Sequence, residues 1–450
     1  MIRTAIRLLL CLLVAGGTGR AAPEDKLRVI VETDAGGDPD DEQSLVRFLL
    51  YTNEWDVEAV ITNRREARDG ENLNPVRTGP GITRRLVEAY AGVHPRLREH
   101  DPRYPEPALL LQRTVSGCSD SEAGVNLLMA AVDAPDPRPV WYQNWGTDHG
   151  SDPSNLRRAL DKVLAERGQE GYAKFKSRIL LSSDDQFGEH TFRIPPAFRL
   201  WAQTSRPRMD GVNWYHRFGP LTARAGGFDI ERDCRTGHGP LGALYPLNTT
   251  IPQKEGDSSY FLYLVPTGMN DPMHPEWGSW AGRFGTRDAP GEELPNYYWA
   301  NARDAWQGRT NRDNTLLRWA ADLQNDFRAR LDWCVKPRAE ANHRPIAVLN
   351  GDTTRAIRTF RTAPGAVLTL SAAGSSDPDA NGLSYEWFTY PEAATFPGPV
   401  AIRNEGKAEC QVEIPGAAAG KSIHVILAIR DNGAPPLAAY RRAVIHVGEK

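Results

Sequence analysis

Short apolar runs alternate with amphipathic segments through the first half of the chain. The apolar runs lie at 27–31, 57–62, 140–145 and 178–182, and the segments with apolar residues at helical spacing lie at 42–51, 82–93, 122–132 and 154–167. Strands that alternate with helices favour a mostly parallel sheet covered by helices on both faces. The predicted fold class of this half is therefore α/β, with a Rossmann-like sheet.

The pattern changes towards the C-terminus. A long polar segment at 301–333 predicts a helix, and the segment 337–345 predicts a linker. Short predicted strands separated by turn sequences follow at 347–349, 367–370, 383–388, 411–414, 423–429 and 441–447. This spacing is typical of a β-sandwich of about a hundred residues. We predict a first domain over 22–342 and a small all-β, immunoglobulin-like domain over 343–450.

The N-terminus has the pattern of a secretion signal. Arg3 and Arg7 precede a short apolar core, and small residues at 16–22 supply a cleavage site. We predict a signal peptide over 1–21 and a secreted or periplasmic protein. Leucines precede Cys11, where a lipid-attachment motif would have small residues, and this favours full export over a lipid anchor.

Composition narrows the function classes. The formal net charge of −3 gives no sign of nucleic-acid binding. No stretch after the signal is long and apolar enough to predict a membrane span. The sequence leaves oligomerisation open, and it does not decide between disulfides and free thiols for four cysteines, Cys118, Cys234, Cys334 and Cys410.

The strongest chemical signal follows the first predicted strand. Four aspartates fall within eight positions there, Asp34, Asp38, Asp40 and Asp41. Carboxylates packed this closely repel one another, and a hard cation such as Ca²⁺ or Mg²⁺ relieves the repulsion. Gly36 and Gly37 let the backbone turn sharply enough for the carboxylates to converge. The alternative interpretation is a solvated acidic loop in which an aspartate caps the following helix.

Other polar residues lie at or just after the ends of predicted strands, at 62–63, 145–147 and 183–185. Open α/β sheets bind ligands outside the carboxyl ends of their strands. We therefore expect these residues and the aspartates to converge on one rim. Asp184 and Asp185 would either line a pocket there or cap a helix.

The acidic motif resembles the signature of the calcium-dependent nucleoside hydrolases, Asp-x-Asp-x-Gly-x-Asp-Asp followed by a helix. Glu32 stands where that signature has its first Asp, and three residues separate Gly36 from the Asp40-Asp41 pair where the family usually has one. The chain is similar to a secreted bacterial branch in which an immunoglobulin-like domain follows and which is often labelled cellulose-binding. The stretches that carry this similarity are 237–246, 255–258, 271–284 and 377–388.

The resemblance implies a Ca²⁺ site and assigns its ligands. Asp34 would contact the ion and act as general base, and Asp41 would be a second ligand. The family's carbonyl ligand lies where a helix opens, which gives Ser154 here, with Thr147 as the alternative. Asp271 matches the late Asp ligand of the family's His-Asp-Pro triplet, which reads Asn-Asp-Pro in this chain.

Substrate contacts follow from the same resemblance. Asp40 would accept hydrogen bonds from sugar hydroxyls, and Asn63 and Asn155 would contact the sugar. The leaving-group role of the family's histidine has no counterpart in the triplet.

A glycine-broken loop adds further candidates. Trp277 and Trp280 would stack on a sugar and Arg283 would clamp it, although core packing is the usual role of such rings. His238 lies between two glycines and is a candidate acid for the leaving group. A loop-stabilising hydrogen bond is the other interpretation of His238.

These features favour an exported metal-dependent hydrolase of N-glycosyl, nucleoside-like bonds. A calcium-activated water would attack the anomeric carbon with Asp34 as base, through an oxocarbenium-like transition state. The alternatives are an O-glycoside hydrolase and a non-catalytic carbohydrate-binding protein with cellulose as ligand. The expected partner is a small sugar or nucleoside-like substrate, or a polysaccharide.

Overall fold

A computed structural model describes residues 26–146, 152–183, 199–201, 218–247, 252–286, 297–299 and 302–449. The strands before residue 320 are β1 Leu27–Thr33, β2 Trp55–Thr62, β3 Thr114–Ser116, β4 Val140–Trp145, β5 Ile179–Ser183, β6 Arg199–Trp201, β7 Gly285–Thr286, β8 Tyr297–Trp299, β9 Asp304–Trp306 and β10 Arg309–Asn311. The α-helices are α1 Asp40–Leu50, α2 Gly79–His100, α3 Pro107–Arg113, α4 Ala123–Asp133, α5 Asn155–Lys176, α6 Phe218–Thr222, α7 Gly239–Ala243, α8 Ser258–Leu262, α9 Asn314–Leu317 and α10 Ala320–Trp333. The C-terminal strands are β11 Arg358–Thr362, β12 Val367–Ser371, β13 Leu383–Thr389, β14 Ile402–Arg403, β15 Glu409–Glu413, β16 Ser422–Asp431 and β17 Ala438–Val447.

One sheet organises the first domain, with strand order β3-β2-β1-β4-β5-β6-β8-β7. Each neighbouring pair is parallel except β7 with β8. The chain leaves β1 for β2 on one side and returns to β4 on the other. The loop after β1 therefore lies at the point where the strand order reverses, which is where open α/β sheets bind ligands.

Helices cover both faces of this sheet, because β1 sends successive apolar side chains to opposite sides. On one face Val29 and Val31 pack in a core with Phe48 of α1. On the other face Ile30 packs in a second core with Leu160 of α5. The predicted α/β fold class is confirmed, and the carboxyl end of β1 is held rigidly from both sides.

The predicted elements of the first domain lie close to the observed ones. The observed bounds of β4 are those predicted, Val140 and Trp145. The helix predicted over 82–93 is longer, because α2 runs from Gly79 to His100 through Pro95. The short α3 and β3 have no predicted counterpart, since α3 buries a single residue, Leu110, and shows no apolar period.

The predicted helix over 301–333 is wrong in its first part. Strands β9 and β10 form an antiparallel hairpin there. Gln307 and Gly308 connect them with φ angles of 48° and 75°, a left-handed backbone that no right-handed helix contains. The helical structure begins only at Asn314, with α9, and continues with α10.

The C-terminal domain pairs two sheets around its own core, as predicted for a small β domain. The sheets have the orders β11-β17-β16-β13 and β12-β15-β14. Trp387, Val425 and Ile445 lie in the core between them. Residues 347–349 do not form the predicted strand. Leu349 makes only an isolated bridge to Asp352, and the preceding Ile346 makes one to Ser376.

The segment predicted as a linker packs tightly between the domains. Asn342 and His343 are buried. The Asn342 amide donates to Asp431 of the C-terminal domain (3.0 Å), and His343 Nε2 lies 2.8 Å from Nδ1 of His100, the last residue of α2. The two domains are therefore joined by specific polar contacts along this segment.

Residues 1–25 lie outside the described residues, and the predicted signal peptide lies there with Cys11. Within the part of the chain that the structure describes, no helix is both long and apolar enough to cross a membrane. The four later cysteines are buried free thiols, namely Cys118, Cys234, Cys334 and Cys410.

A buried ion pair ties α1 to the segment that precedes α8. Arg47 Nε lies 2.5 Å from Glu255 Oε2, and both side chains are fully buried. Glu255 also accepts hydrogen bonds from three neighbours, Tyr245, Gln253 and Ser258. Because Glu255 is only two residues from Asp257, the ion pair fixes the position of Asp257 relative to α1.

The Arg47→Met substitution tests this anchor. It leaves Glu255 buried without its cation, so we expect the free energy of unfolding to fall by about 3–5 kcal/mol in urea denaturation. Arg84→Met, which breaks an exposed pair with Glu88, should change it far less. Equal effects of the two substitutions would contradict the anchoring role of Arg47.

Candidate functional site

The turn after β1 brings acidic residues to the carboxyl rim of the sheet. The Gly37 amide donates to the Asp34 carbonyl over 3.0 Å. Gly36 has a φ of +98°, and a Cβ there would lie 3.4 Å from the Cα of Ala67. Glycine at this position thus lets the chain reverse tightly before α1 begins at Asp40.

Three buried carboxylates converge at this rim. Asp40, Asp41 and Asp257 each place a carboxylate oxygen within 4.8 Å of the others. Asp40 and Asp41 open α1, and Asp257 directly precedes α8. We call these three residues the carboxylate cluster. Asp34 is in hydrogen-bond contact with Asp41 and adjoins the cluster.

Burial and like charge set the protonation of the cluster. Burial raises the pKa of Asp41 well above its ordinary value, and three neighbouring carboxylates raise it further, Asp257, Asp34 and Asp40. Burial also raises the pKa of Asp34, although the Arg64 guanidinium opposes this shift. The cluster is therefore stabilised by protons or by added positive charge.

Two basic side chains supply part of that charge. Arg64 Nη2 lies 2.7 Å from Asp34 Oδ2, and Arg64 Nε donates to the Asp34 carbonyl over 3.1 Å. Lys254 Nζ lies 3.6 Å from Asp40 Oδ2 and also contacts Asp38. These contacts compensate the edges of the acidic group, while Asp41 and Asp257 lie against each other.

The donor set of the cluster fits a hard divalent cation. Ca²⁺ takes oxygen ligands at about 2.3–2.6 Å, so oxygens on opposite sides of one ion are about 5 Å apart. The three oxygens of the cluster all lie within 4.8 Å of one another, so a single ion can contact all three. Carboxylates also suit Mg²⁺, which demands stricter octahedral geometry.

Glu32 forms a second polar network beside the cluster. The side chain is fully buried. Its oxygens accept hydrogen bonds from the Asn155 backbone (2.8 and 3.0 Å) and from the Asn155 and Asn63 amides (3.0 and 3.1 Å). Tyr142 also donates to it. A carboxylate at the N-terminus of α5 is favoured by the exposed N–H groups and by the helix dipole.

This network gives Ser154, Asn155 and Asn63 structural contacts, and their ligand and sugar contacts stay predictions. Ser154 is the N-cap of α5: its Oγ accepts from Leu156, and its carbonyl accepts the helical bond from Arg158. The three residues are fully buried. The longer side chain of Glu32, where the family has Asp, reaches these groups and holds them. Thr147, Asp184 and Asp185 lie outside the described residues.

The structure does not bring Asp271 to the cluster. The Met273 amide donates to the Asp271 side chain, and the His274 amide donates to the Asp271 carbonyl. Its charge acts on His274 and on Arg442 of the C-terminal domain. Asp257, which directly precedes α8, is the third carboxylate beside Asp40 and Asp41.

The predicted sugar-stacking loop packs against the C-terminal domain instead. Trp277 stacks on His274 with ring centroids 3.8 Å apart, and its carbonyl accepts from Arg442. Trp280 is 1% exposed. Arg283 Nε donates to Asp304 over 2.8 Å. Trp277 therefore joins the two domains, whereas Arg283 is paired within the first domain.

His238 makes the contacts of a loop-stabilising residue. Its Nδ1 lies 2.9 Å from the Thr236 carbonyl, and its Nε2 lies 3.3 Å from Asp332 Oδ1 of α10. These contacts agree with the second interpretation, a loop-stabilising hydrogen bond. They hold His238, which directly precedes α7, against α10.

Three site residues escaped the sequence analysis, namely Arg64, Lys254 and Asp257. Asp257 lies in a stretch, 255–258, that carried the family resemblance without being linked to the metal. Arg64 directly follows Asn63 at the end of β2, so its position at the rim was predictable. Lys254 carried no signal, because only the packing of 252–258 against α1 brings it to Asp38.

Comparison with known proteins places the chain in a family. Residues 28–284 match the family described as cellulose-binding Sde182, nucleoside hydrolase-like domain. Residues 367–447 match that of the C-terminal domain of cellulose-binding protein Sde0182. No curated protein matches the chain.

A solved structure gives a similar result. A nucleoside hydrolase-related hypothetical protein from Saccharophagus degradans, described as associated with carbohydrate metabolism, is 32% identical, with a TM-score of 0.73 over 94% of this chain and 100% of that chain. The PKD domain of the KIAA 1837 protein is 18% identical over 21% of this chain and 81% of its own, with a TM-score of 0.17. Human CDH23 EC21-23 is 16% identical over 23% of this chain and 33% of its own, with a TM-score of 0.18.

The Glu32→Gln substitution tests the second network. One carboxylate oxygen becomes an NH₂ donor that faces the Asn155 donors, so we expect the free energy of unfolding to fall by about 1–3 kcal/mol in urea denaturation. Glu71→Gln, at a half-exposed ion pair with Arg68, serves as the matched control and should leave it nearly unchanged. A fully stable Glu32→Gln protein would show that the network does not depend on the charge.

Proposed function

Because this chain belongs to the family of cellulose-binding Sde182 with its nucleoside hydrolase-like domain, we propose that it hydrolyses a glycosidic bond at the carboxyl rim of its sheet. The observation that carries the proposal is the convergence of Asp40, Asp41 and Asp257 beside Asp34. Carboxylates around one rim can hold a cation and stabilise the positive charge of an oxocarbenium-like transition state.

Asp40, Asp41 and Asp257 are the residues that would hold the ion. A bound Ca²⁺ would supply the charge that orients sugar hydroxyls and lowers the pKa of a water. Asp257 replaces Asp271 in the ligand set inferred from the sequence. Arg47 positions Asp257 through Glu255, so the ligand geometry depends on a buried ion pair outside the site.

Asp34 is the general base in this proposal. Its carboxylate takes a proton from the water whose oxygen attacks the anomeric carbon. The bond from that carbon to the leaving group breaks, and the bonding electrons leave with that group. Arg64 fixes the orientation of Asp34 through two contacts, to the side chain and to the carbonyl. Direct displacement by water inverts the anomeric centre.

The substrate is a sugar in either an N- or an O-glycosidic bond. The nucleoside hydrolase-like domain favours an N-glycosyl bond, as in a nucleoside. The description of the family as cellulose-binding favours plant-polysaccharide fragments with O-glycosidic bonds. Export, inferred from residues 1–21, agrees better with an extracellular polysaccharide than with an intracellular nucleoside pool.

A non-catalytic carbohydrate-binding protein is the second candidate. The ion pair between Arg64 and Asp34 favours it, because the guanidinium at 2.7 Å occupies a carboxylate oxygen that would otherwise accept a proton from water. In this case the rim would bind sugar hydroxyls without cleaving the glycosidic bond.

Cation binding is the first test of the proposal. We expect calorimetry of the purified mature protein to detect Ca²⁺ binding, and Asp41→Asn to weaken it at least tenfold because one ligand charge is lost. Asp69→Asn, at an exposed ion pair with Arg77, is the control. Titration with Mg²⁺ shows which ion the site prefers. A protein that binds neither ion would remove the metal from the proposal.

Hydrolysis is tested on nucleosides and on nitrophenyl glycosides side by side. We expect Asp34→Asn to lower kcat by at least about 10²-fold with the fold intact, because the base is lost. An Asp34→Asn protein with full activity would exclude Asp34 as base. A wild-type protein that binds cello-oligosaccharides but cleaves none of these substrates would favour the second candidate.

The pH dependence of stability tests the charge of the cluster. The folded pKa of Asp41 lies above its unfolded value of 3.8, so the folded state binds the proton more tightly and its stability falls as pH rises above about 4. With a chelator present, we expect Asp41→Asn to lose less stability than wild type between pH 4.5 and 7.5 in urea denaturation. If both proteins lose the same free energy of unfolding over this pH range, ionisation of Asp41 does not cost stability.

A further inference from the structure

A cleft of about 340 Å³ lies between the two domains, apart from the carboxylate cluster. The first domain contributes residues that precede β2 and follow α2, together with one face of α10. The C-terminal side contributes 343–347, 353–355 and 439–441. The volume is at the lower end of the range of about 300–1,000 Å³ that small-molecule pockets occupy.

The cleft and the carboxylate cluster lie at opposite ends of the sheet. Asn53 and Glu54 line the cleft and directly precede β2, whereas Asn63 and Arg64 follow β2 at the rim. β2 has eight residues, so the two sites are about 26 Å apart at ~3.3 Å per residue. A ligand of the cleft is therefore different from a ligand of the cluster.

Guanidinium groups dominate the lining. Six arginines line the cleft, Arg103, Arg330, Arg338, Arg344, Arg355 and Arg441. Three carboxylates line it, Glu54, Asp101 and Asp326. Two more acids stand behind the lining, because Asp352 pairs with Arg441 and Asp379 contacts His343. Positive charge therefore exceeds negative charge at the wall of the cleft.

Two buried acids of the lining, Glu54 and Asp326, are paired with arginines. Glu54 is buried and is shared by two guanidinium groups, with Arg330 Nη2 at 2.7 Å and Arg355 Nη1 at 3.2 Å. Arg344 pairs with Asp326 at 2.6 Å. The surrounding arginines hold the pKa of Glu54 far below its usual range despite its burial.

The exposed edge of the cleft adds further positive charge. Arg338 is exposed, and its Nη1 donates to the His100 carbonyl over 2.6 Å. Such a bond leaves the guanidinium charge uncompensated, because a carbonyl is neutral. Thr353 lines the cleft beside Arg355 and is exposed.

We infer that this cleft binds a small organic anion, with a carboxylate or a phosphate as the recognised group. Planar guanidinium groups pair with both groups through two parallel hydrogen bonds. Because residues of both domains form the wall, the bound anion would link the C-terminal domain to the first domain. The site is independent of glycoside hydrolysis and of any metal at the rim.

The test uses calorimetry on the full mature chain with three probes, glucuronate, glucose 1-phosphate and glucose. We expect at least one of the two anions to bind and glucose not to bind. Binding should weaken as NaCl rises from 50 to 300 mM, since it depends on charge. Preference for glucuronate identifies a carboxylate ligand, and preference for glucose 1-phosphate identifies a phosphate ligand.

A matched pair of variants places the anion in the cleft. Thr353→Glu adds a negative charge at the edge, and Thr353→Gln adds nearly the same volume without charge. We expect Thr353→Glu to weaken anion binding at least fivefold and Thr353→Gln to leave it within twofold of wild type. Arg338→Gln should also weaken it, and Asp41→Asn at the rim should not.

Several outcomes would overturn the inference. The inference fails if neither anion binds, or if glucose binds as well as the anions do. It also fails if Thr353→Glu and Thr353→Gln have equal effects. Loss of anion binding in Asp41→Asn would place the ligand at the rim instead. Circular dichroism of each variant shows that a loss of binding does not come from unfolding.

Discussion

The crowding of carboxylates at the end of β1 is the constraint around which the first domain is arranged. Buried acids repel one another, so each must find positive charge, a donor or a proton. Arg64 compensates Asp34, and Lys254 compensates Asp38 and Asp40. Burial is the main cause of the raised pKa of Asp41, and repulsion from Asp257, Asp34 and Asp40 raises it further. A folded protein keeps such repulsion most readily where a ligand relieves it, as sites of perturbed pKa generally suggest.

The rest of the rim makes this arrangement rigid. Glu32 is satisfied by the start of α5 and by Asn63, so the end of β1 is tied to its neighbours on both sides. Arg47 and Glu255 tie α1 to the segment that carries Asp257. These two networks hold the carboxylate cluster in place. A site of this kind is preorganised, because its repulsive geometry is imposed by the packing around it.

The C-terminal domain is packed against the first domain through charged and aromatic contacts. Trp277 and Arg442 meet on one side of the contact, and His100 and His343 meet on another. The arginine-rich cleft lies in the same contact region. A tandem of two domains thus creates a surface that neither domain has alone, and a β-sandwich appended to an enzyme-like fold can act through that surface as well as through its own faces.

The sequence by itself determined the α/β and β-sandwich halves, because apolar periodicity is a local property that survives in any context. It also determined the acidic rim, since Asp34, Asp40 and Asp41 follow one strand within a few residues. Only the tertiary structure decided the third carboxylate, Asp257 in place of Asp271, because the packing of distant segments sets which acids meet. It likewise decided that Trp277 packs between domains, since the sequence around a tryptophan does not show whether its ring contacts a sugar or a second domain. Local pattern indicates most of the elements, whereas long-range packing sets their exact ends and decides which side chains share a site.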